Sequence, residues 1–293
     1  MIVSGVLLLL SSLVVILYFD LTLPYSKSRF ESTGTFFVKF FIAPLLIAPV
    51  IEELLFRGFL SRSKVLNALF LILGVGALFF FNFHWILVLL ILLTYALYLT
   101  YHYTNIESLL NVSILLSAIV FGSVHYSVEE LNFLHTLPFF FVQFSGGLIL
   151  SWVIYTKNFL SGVISHVVWN MIIVGISLYG LQFVDSTTSK TAYGESSMVY
   201  EKVPIFHSSV SSFKIEDQEL IVKNMTVFDV VKYMDERYLD TFNITTPYMK
   251  YDIHISLKGT PGTSDFNSNA MRLLEQEKLL IKRDSVGKAL VWR

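Results

Sequence analysis

The stretch Ala48-Pro49-Val50-Ile51-Glu52-Glu53-Leu54-Leu55-Phe56-Arg57-Gly58 puts two adjacent carboxylates and a guanidinium inside a long apolar run. Ionisable side chains within hydrophobic spans are costly to desolvate and mark function by default. Arg57 lies four residues beyond Glu53 and shares its helical face, leaving Glu52 about a quarter-turn away. Neighbouring carboxylates in low dielectric repel each other, and Arg57 can hold one of them charged. Taken alone, the stretch reads equally well as a structural Glu–Arg pair at a helix end or as part of a site.

The surrounding chain decides the class. Of 293 residues, 54% are hydrophobic and 15% charged, with a mean hydropathy of +0.64. Soluble domains carry about 25% charge, so an α-helical membrane protein is expected. Apolar runs fall at 2–18, 35–60, 66–81, 84–101, 109–125, 133–155 and 159–182. A bilayer core takes about 20 apolar residues per helix, which makes about seven transmembrane helices. The run 2–18 has neither a basic leader nor a small-residue cleavage site, so it reads as a retained helix. The run 35–60 is long and holds Pro44 and Pro49, each of which removes an intrahelical donor. A helix break just before Ile51 is the expectation, and a continuous helix there would count against a shared site depth. On the expected topology, Arg57, Arg62, Lys64 and Lys157 lie inside, against Lys27 and Arg29 outside, which favours a cytoplasmic N-terminus. Seven spans would then put the C-terminal domain on the other side.

Charge changes sharply near residue 184. The last 110 residues hold 15 of the 22 acidic and 14 of the 21 basic side chains. The expected organisation is a membrane domain over 1–183, a Ser/Thr/Tyr-rich linker over 184–204 and a small α+β soluble domain over 205–293. Within the last, 211–225 and 251–259 read as strands and 225–239 as a helix with Thr226 as N-cap and Asp229 three residues on. A helix over 267–277 and a closing hairpin around Asp284-Ser285 and Gly287 complete a β-α-β-α-β-β order. A net charge of −1 and the lack of any basic run speak against nucleic acid. The absence of cysteine rules out disulfides, thiolate zinc sites and cysteine nucleophiles.

Two further polar pairs lie in the apolar runs, Phe121 with His125 in FGSVH and His166 with Asn170 in HVVWN, both at i, i+4 spacing. His84, His102 and His135 lack such partners and read as interfacial. Carboxylate, imidazole, amide and guanidinium together suit water activation and oxyanion stabilisation. The same Glu and His side chains also suit a divalent metal such as zinc, although no HExxH spacing is present.

In this order EExxxR (Glu52, Glu53, Arg57), FxxxH (Phe121, His125) and HxxxN (His166, Asn170) resemble the three motifs of the CAAX prenyl endopeptidase and bacteriocin-processing family of intramembrane proteases. APVIEELLFRG, Gly146-Gly147 and the stretch before His166 add to the likeness, which covers roughly 35–182. The resemblance implies hydrolysis of a peptide bond in a membrane-associated substrate, of prenylated CAAX type or bacteriocin-like, by a multi-pass protein of a bacterial cell membrane. It implies Glu52 and His125 positioning water, His166 and Asn170 stabilising the oxyanion or helping bind metal, and Glu53 and Arg57 in support. If a metal is used, Glu52, His125 and His166 are its implied ligands. The family usually has about half this distance between its first two motifs, so residues 64–101 read as an inserted helix pair. The alternatives are a non-catalytic membrane scaffold or immunity protein whose C-terminal domain binds a protein partner, and a transporter, against which stands the lack of an internal repeat.

Overall fold

A computed structural model of the chain describes residues 2–19, 38–80, 85–126, 134–246, 248–257 and 264–282. The chain divides into two compact units, residues 1–173 and 174–293.

The first unit is helical. Its helices are α1 (Ile2–Tyr18), α2 (Ala48–Arg57), α3 (Lys64–Phe80), α4 (Trp85–Thr104), α5 (Glu107–Ser123), α6 (Leu137–Thr156) and α7 (Phe159–Gln182), the last running on into the second unit. Among the described residues α4, α6 and α7 are, by length and composition, able to cross a membrane. Shorter apolar helices cover Ile2–Tyr18, Lys64–Leu73 and Glu107–Ser123. Leucines, isoleucines and valines stand exposed along α1, α4 and α7, as expected where the surrounding solvent is lipid. Lys27, Arg29 and His84 lie outside the described residues, as does the side chain of His135.

The expected break before Ile51 takes the form of a change of helix type at Ala48, with no interruption of the chain. Val38–Ile47 forms a π-helix that runs directly into α2, with Pro44 inside it and Pro49 in the first turn of α2. A π-helix closes i→i+5 rings, and the ring after Ile47 would need an N–H at residue 49. Proline has none, so the wide register stops and the tighter α-register begins. The two prolines change the helix type instead of interrupting the chain. α2 then closes through a 3₁₀ turn, Gly58–Leu60.

Small residues let the helices meet backbone to backbone, the usual device where lipid supplies no hydrophobic drive. Gly5 of α1 rests on Leu148 and Ile149 of α6, and a Cβ on Gly147 would lie 3.0 Å from both Cα and Cβ of Ala118 on α5. Gly147→Ala is therefore expected to cost ~1–3 kcal/mol through overpacking. Gly146→Ala, where an added Cβ meets nothing within 4 Å, gains helix propensity worth about 1 kcal/mol. Thermal unfolding in detergent should move the two midpoints in opposite directions, and equal midpoints would refute the close crossing.

The second unit holds a five-stranded antiparallel sheet of strands β1 (Ser189–Tyr193), β2 (Ser196–Val203), β3 (Ser212–Glu216), β4 (Glu219–Thr226) and β6 (Lys250–Ser256), in the order β1-β2-β6-β4-β3. A two-stranded sheet pairs β5 (Phe242–Ile244) with β7 (Leu280–Lys282). Helices α8 (Val227–Asp235), α9 (Tyr238–Thr241) and α10 (Ser264–Gln276) complete it. Met198, Leu220, Val222, Ile253 and Ile255 of the sheet pack with Val230 and Val231 of α8 and Phe266, Leu273 and Leu274 of α10. The expected linker 184–204 is thus largely the hairpin β1–β2. Its Ser/Thr-rich composition hides the alternation that turns Met198 inward, and Gly194 makes the turn at a positive φ of 60°. The expected closing hairpin beyond residue 282 lies outside the described residues.

Thr226 caps α8 as the spacing predicts: its Oγ1 accepts from the Asp229 N–H at 3.2 Å and donates to Asp229 Oδ2 at 2.7 Å. Thr226→Ala is expected to cost ~0.5–2 kcal/mol. A chemical unfolding midpoint unchanged from the parent would refute the cap.

Candidate active site

α2 sits at the centre of the polar cluster. Its moist face carries Glu52, whose side chain is 26% exposed, and its dry face carries Glu53 and Arg57, both fully buried. Arg57 Nη1 donates to Glu53 Oε1 at 2.5 Å across one helical turn. The rest of the guanidinium is enclosed: Nε lies 3.3 Å from both the Gly147 carbonyl and Ser151 Oγ of α6, and the plane sits 4.2 Å over the Phe121 ring of α5. Ser151 also donates to the Gly147 carbonyl at 2.8 Å. Hydrogen bonds at Nε and Nη1 and an aromatic face thus offset part of the cost of burying the pair.

α7 supplies the next layer. His166 is buried and stands between the two glutamates, with Nδ1 2.7 Å from Glu53 Oε1 and Nε2 3.6 Å from Glu52 Oε2. A carboxylate accepts, so Nδ1 donates, and Nε2 is the nitrogen turned to the more exposed glutamate. Glu53 Oε2 and Arg57 Nη2 are buried with no hydrogen-bonding partner among the described residues.

The wall on the other side is Phe121. Its ring meets Phe56 at 5.5 Å, His125 at 5.0 Å and His166 at 5.9 Å between centroids, all edge-on. His125 lies just past the end of α5, where its Nδ1 donates to the Phe121 carbonyl at 2.8 Å. That bond puts the proton of a neutral imidazole on Nδ1 and makes Nε2 the basic nitrogen. Asn170, one turn beyond His166, donates Nδ2–H to the Pro44 carbonyl at 2.7 Å.

Of the residues the motifs single out, Glu53 thus touches both Arg57 and His166, His166 also faces Glu52, and Phe121 joins His125 to them. Asn170 turns to the π-helical segment. Other groups carry no motif signal. Ser117 of α5 donates to the Phe56 carbonyl at 2.7 Å, at the point where α2 ends. With its nitrogen turned inward, the Asn67 amide of α3 reaches the Gly58 carbonyl at 2.8 Å and the Phe59 carbonyl at 3.2 Å, capping α2 from the stretch read as an insertion.

A metal held by Glu52, His125 and His166 is a poor fit to this arrangement. Among the described residues no three His, Asp or Glu side chains converge to hold one.

The arrangement can hold a carboxylate, an imidazole and a polarised water in one partly enclosed place. No curated protein and no solved structure matches the chain. A family model described as type II CAAX prenyl endopeptidase Rce1-like matches residues 34–172. That span begins before the π-helical segment and ends two residues past Asn170, so it takes in every residue of the cluster. Over residues 34–172 the chain is accordingly similar to the Rce1-like, type II CAAX prenyl endopeptidase family, which supports a protease of the CAAX type.

Proposed function

We propose that the protein is a multi-pass intramembrane endopeptidase that hydrolyses a peptide bond of a membrane-associated substrate, with Glu52 as the base that activates water. The observation that carries this reading is the unequal pair of carboxylates. Glu53 is fully buried and committed to Arg57 and His166, whereas Glu52 is the partly exposed one beside the His166 Nε2. Glu52 takes a proton from water, with His125 Nε2 helping to orient it, and the hydroxide attacks the scissile carbonyl carbon. Protonated on both nitrogens, His166 gives Nδ1–H to Glu53 and offers Nε2–H to the developing oxyanion. The proton held by Glu52 then passes to the leaving amine as the C–N bond breaks. Glu53 and Arg57 stay outside these transfers and keep His166 in place.

A prenylated CAAX-type peptide is the first substrate to offer, and an unprenylated membrane peptide of the same sequence tests whether the lipid is read. The purified protein in lipid vesicles should cleave at least one of them, and a chelator should leave the rate unchanged. Loss of activity to the chelator with recovery on adding zinc would put a metal in the reaction. Cleavage of neither peptide, with the protein folded, would favour the scaffold reading.

A further inference from the structure

We propose that Asn170 is a positioning residue whose task is to supply the hydrogen-bond donor that Pro49 denies to the Pro44 carbonyl, and so to fix the rotation of α2 against α7. The inference rests on the peptidase reading for its kinetic test but not for its structural one.

The reasoning starts from the interval between the two prolines. Residues 44 and 49 are five apart, the spacing at which a π-helix joins a carbonyl to an N–H. The segment Val38–Ile47 has that register, so the natural partner of the Pro44 carbonyl is residue 49, which has no N–H. A half-buried carbonyl left without a donor costs free energy. The Asn170 Nδ2–H fills the place at 2.7 Å.

The consequence is a two-point clamp. Along α7, His166 and Asn170 lie one turn apart on one face. Along the π-helical segment and α2, Pro44 and Glu53 lie nine residues apart. The pairs His166–Glu53 and Asn170–Pro44 are both 2.7 Å. One hydrogen bond leaves a helix free to swivel about it; two at separate heights do not. With rotation fixed, the direction in which Glu52 leaves α2 is fixed too, and with it the separation of 3.6 Å from His166 Nε2. Asn170 thus acts on the reaction through Pro44 and need not touch substrate.

A second-site rescue tests this. Asn170→Ala is expected to lower kcat by ~10²-fold, the effect of a displacement of about 1 Å at a reacting group. Pro49→Ala returns an N–H to the position the carbonyl faces. In the double variant Asn170→Ala/Pro49→Ala the amide takes over the bond, and kcat should recover to within about threefold of Pro49→Ala alone, a coupling between contacting sites that additivity forbids. Hydrogen exchange over residues 38–57 gives an activity-independent readout: faster in Asn170→Ala, protected again in the double variant. That readout stands even if no peptide is cleaved by the parent. A folded double variant that stays as inactive as Asn170→Ala would make Asn170 a donor to the substrate itself and overturn the proposal. So would unchanged exchange in Asn170→Ala.

Discussion

Glu52→Gln is expected to lower peptide cleavage by ~10²–10⁴-fold, the usual worth of a positioned general base, while leaving the melting temperature close to that of the parent. Glutamine keeps the length and shape of the side chain and can still lie near His166 Nε2, but it cannot take a proton from water. Glu52 is also outside the fully buried Glu53–Arg57 pair, so neutralising it strands neither of those charges. The same change one residue later should behave in the opposite way. Glu53→Gln leaves Arg57 charged in a fully enclosed place and removes the acceptor of His166 Nδ1, so its first symptom is lost stability. Cleavage rates and unfolding midpoints of the two variants, measured side by side in lipid vesicles, separate the roles. If Glu52→Gln cleaves as the parent does, the assignment of Glu52 as base fails, whatever Glu53→Gln shows.

The contrast between the glutamates was readable in the sequence because it is local. Helical spacing alone puts Glu53 with Arg57 and turns Glu52 aside, and the capping of α8 by Thr226 is local in the same sense. What spacing cannot express is a contact across 113 residues: nothing near His166 says that it will stand between both glutamates. The partners of Arg57 in α6 are equally silent, since one is a backbone carbonyl and the other a serine in an apolar run. Pro44 and Pro49 were legible only in part, for another reason. Proline is known to end an α-helix, but two prolines five residues apart suit a π-helix, a rare alternative in which the same missing donors change the register. Around residues 189–203 composition misled, as serine and threonine suggest a loop while the alternation of Met198 and Tyr200 with Val199 and Glu201 makes a strand.

Arg57→Ala is expected to destabilise the membrane domain by ~3–5 kcal/mol, the cost of removing one partner of a buried ion pair. The magnitude follows from what is left behind. Glu53 stays at zero exposure with its negative charge and only His166 to answer it, and one of its oxygens already has no partner among the described residues. The Phe121 ring loses the cation above its face, worth a further ~0.5–2 kcal/mol in a desolvated setting, and the Gly147 carbonyl loses a donor. Against a typical total stability of about 5–15 kcal/mol, such a loss shows as poor recovery of folded protein and a clearly lowered unfolding midpoint. Arg57→Lys rescues little, because a compact ammonium cannot reach Glu53, Gly147 and Ser151 together or lie flat on the ring. The telling comparison is Arg57→Met alone against Arg57→Met with Glu53→Leu. Removing both charges restores much of the stability that removing one destroys, since the penalty lies in the stranded carboxylate and not in the lost attraction. The double variant should then be folded yet slow, because His166 has lost the acceptor that orients it. A double variant no more stable than Arg57→Met would mean that Arg57 contributes through packing on Phe121, with the ion pair incidental to the fold.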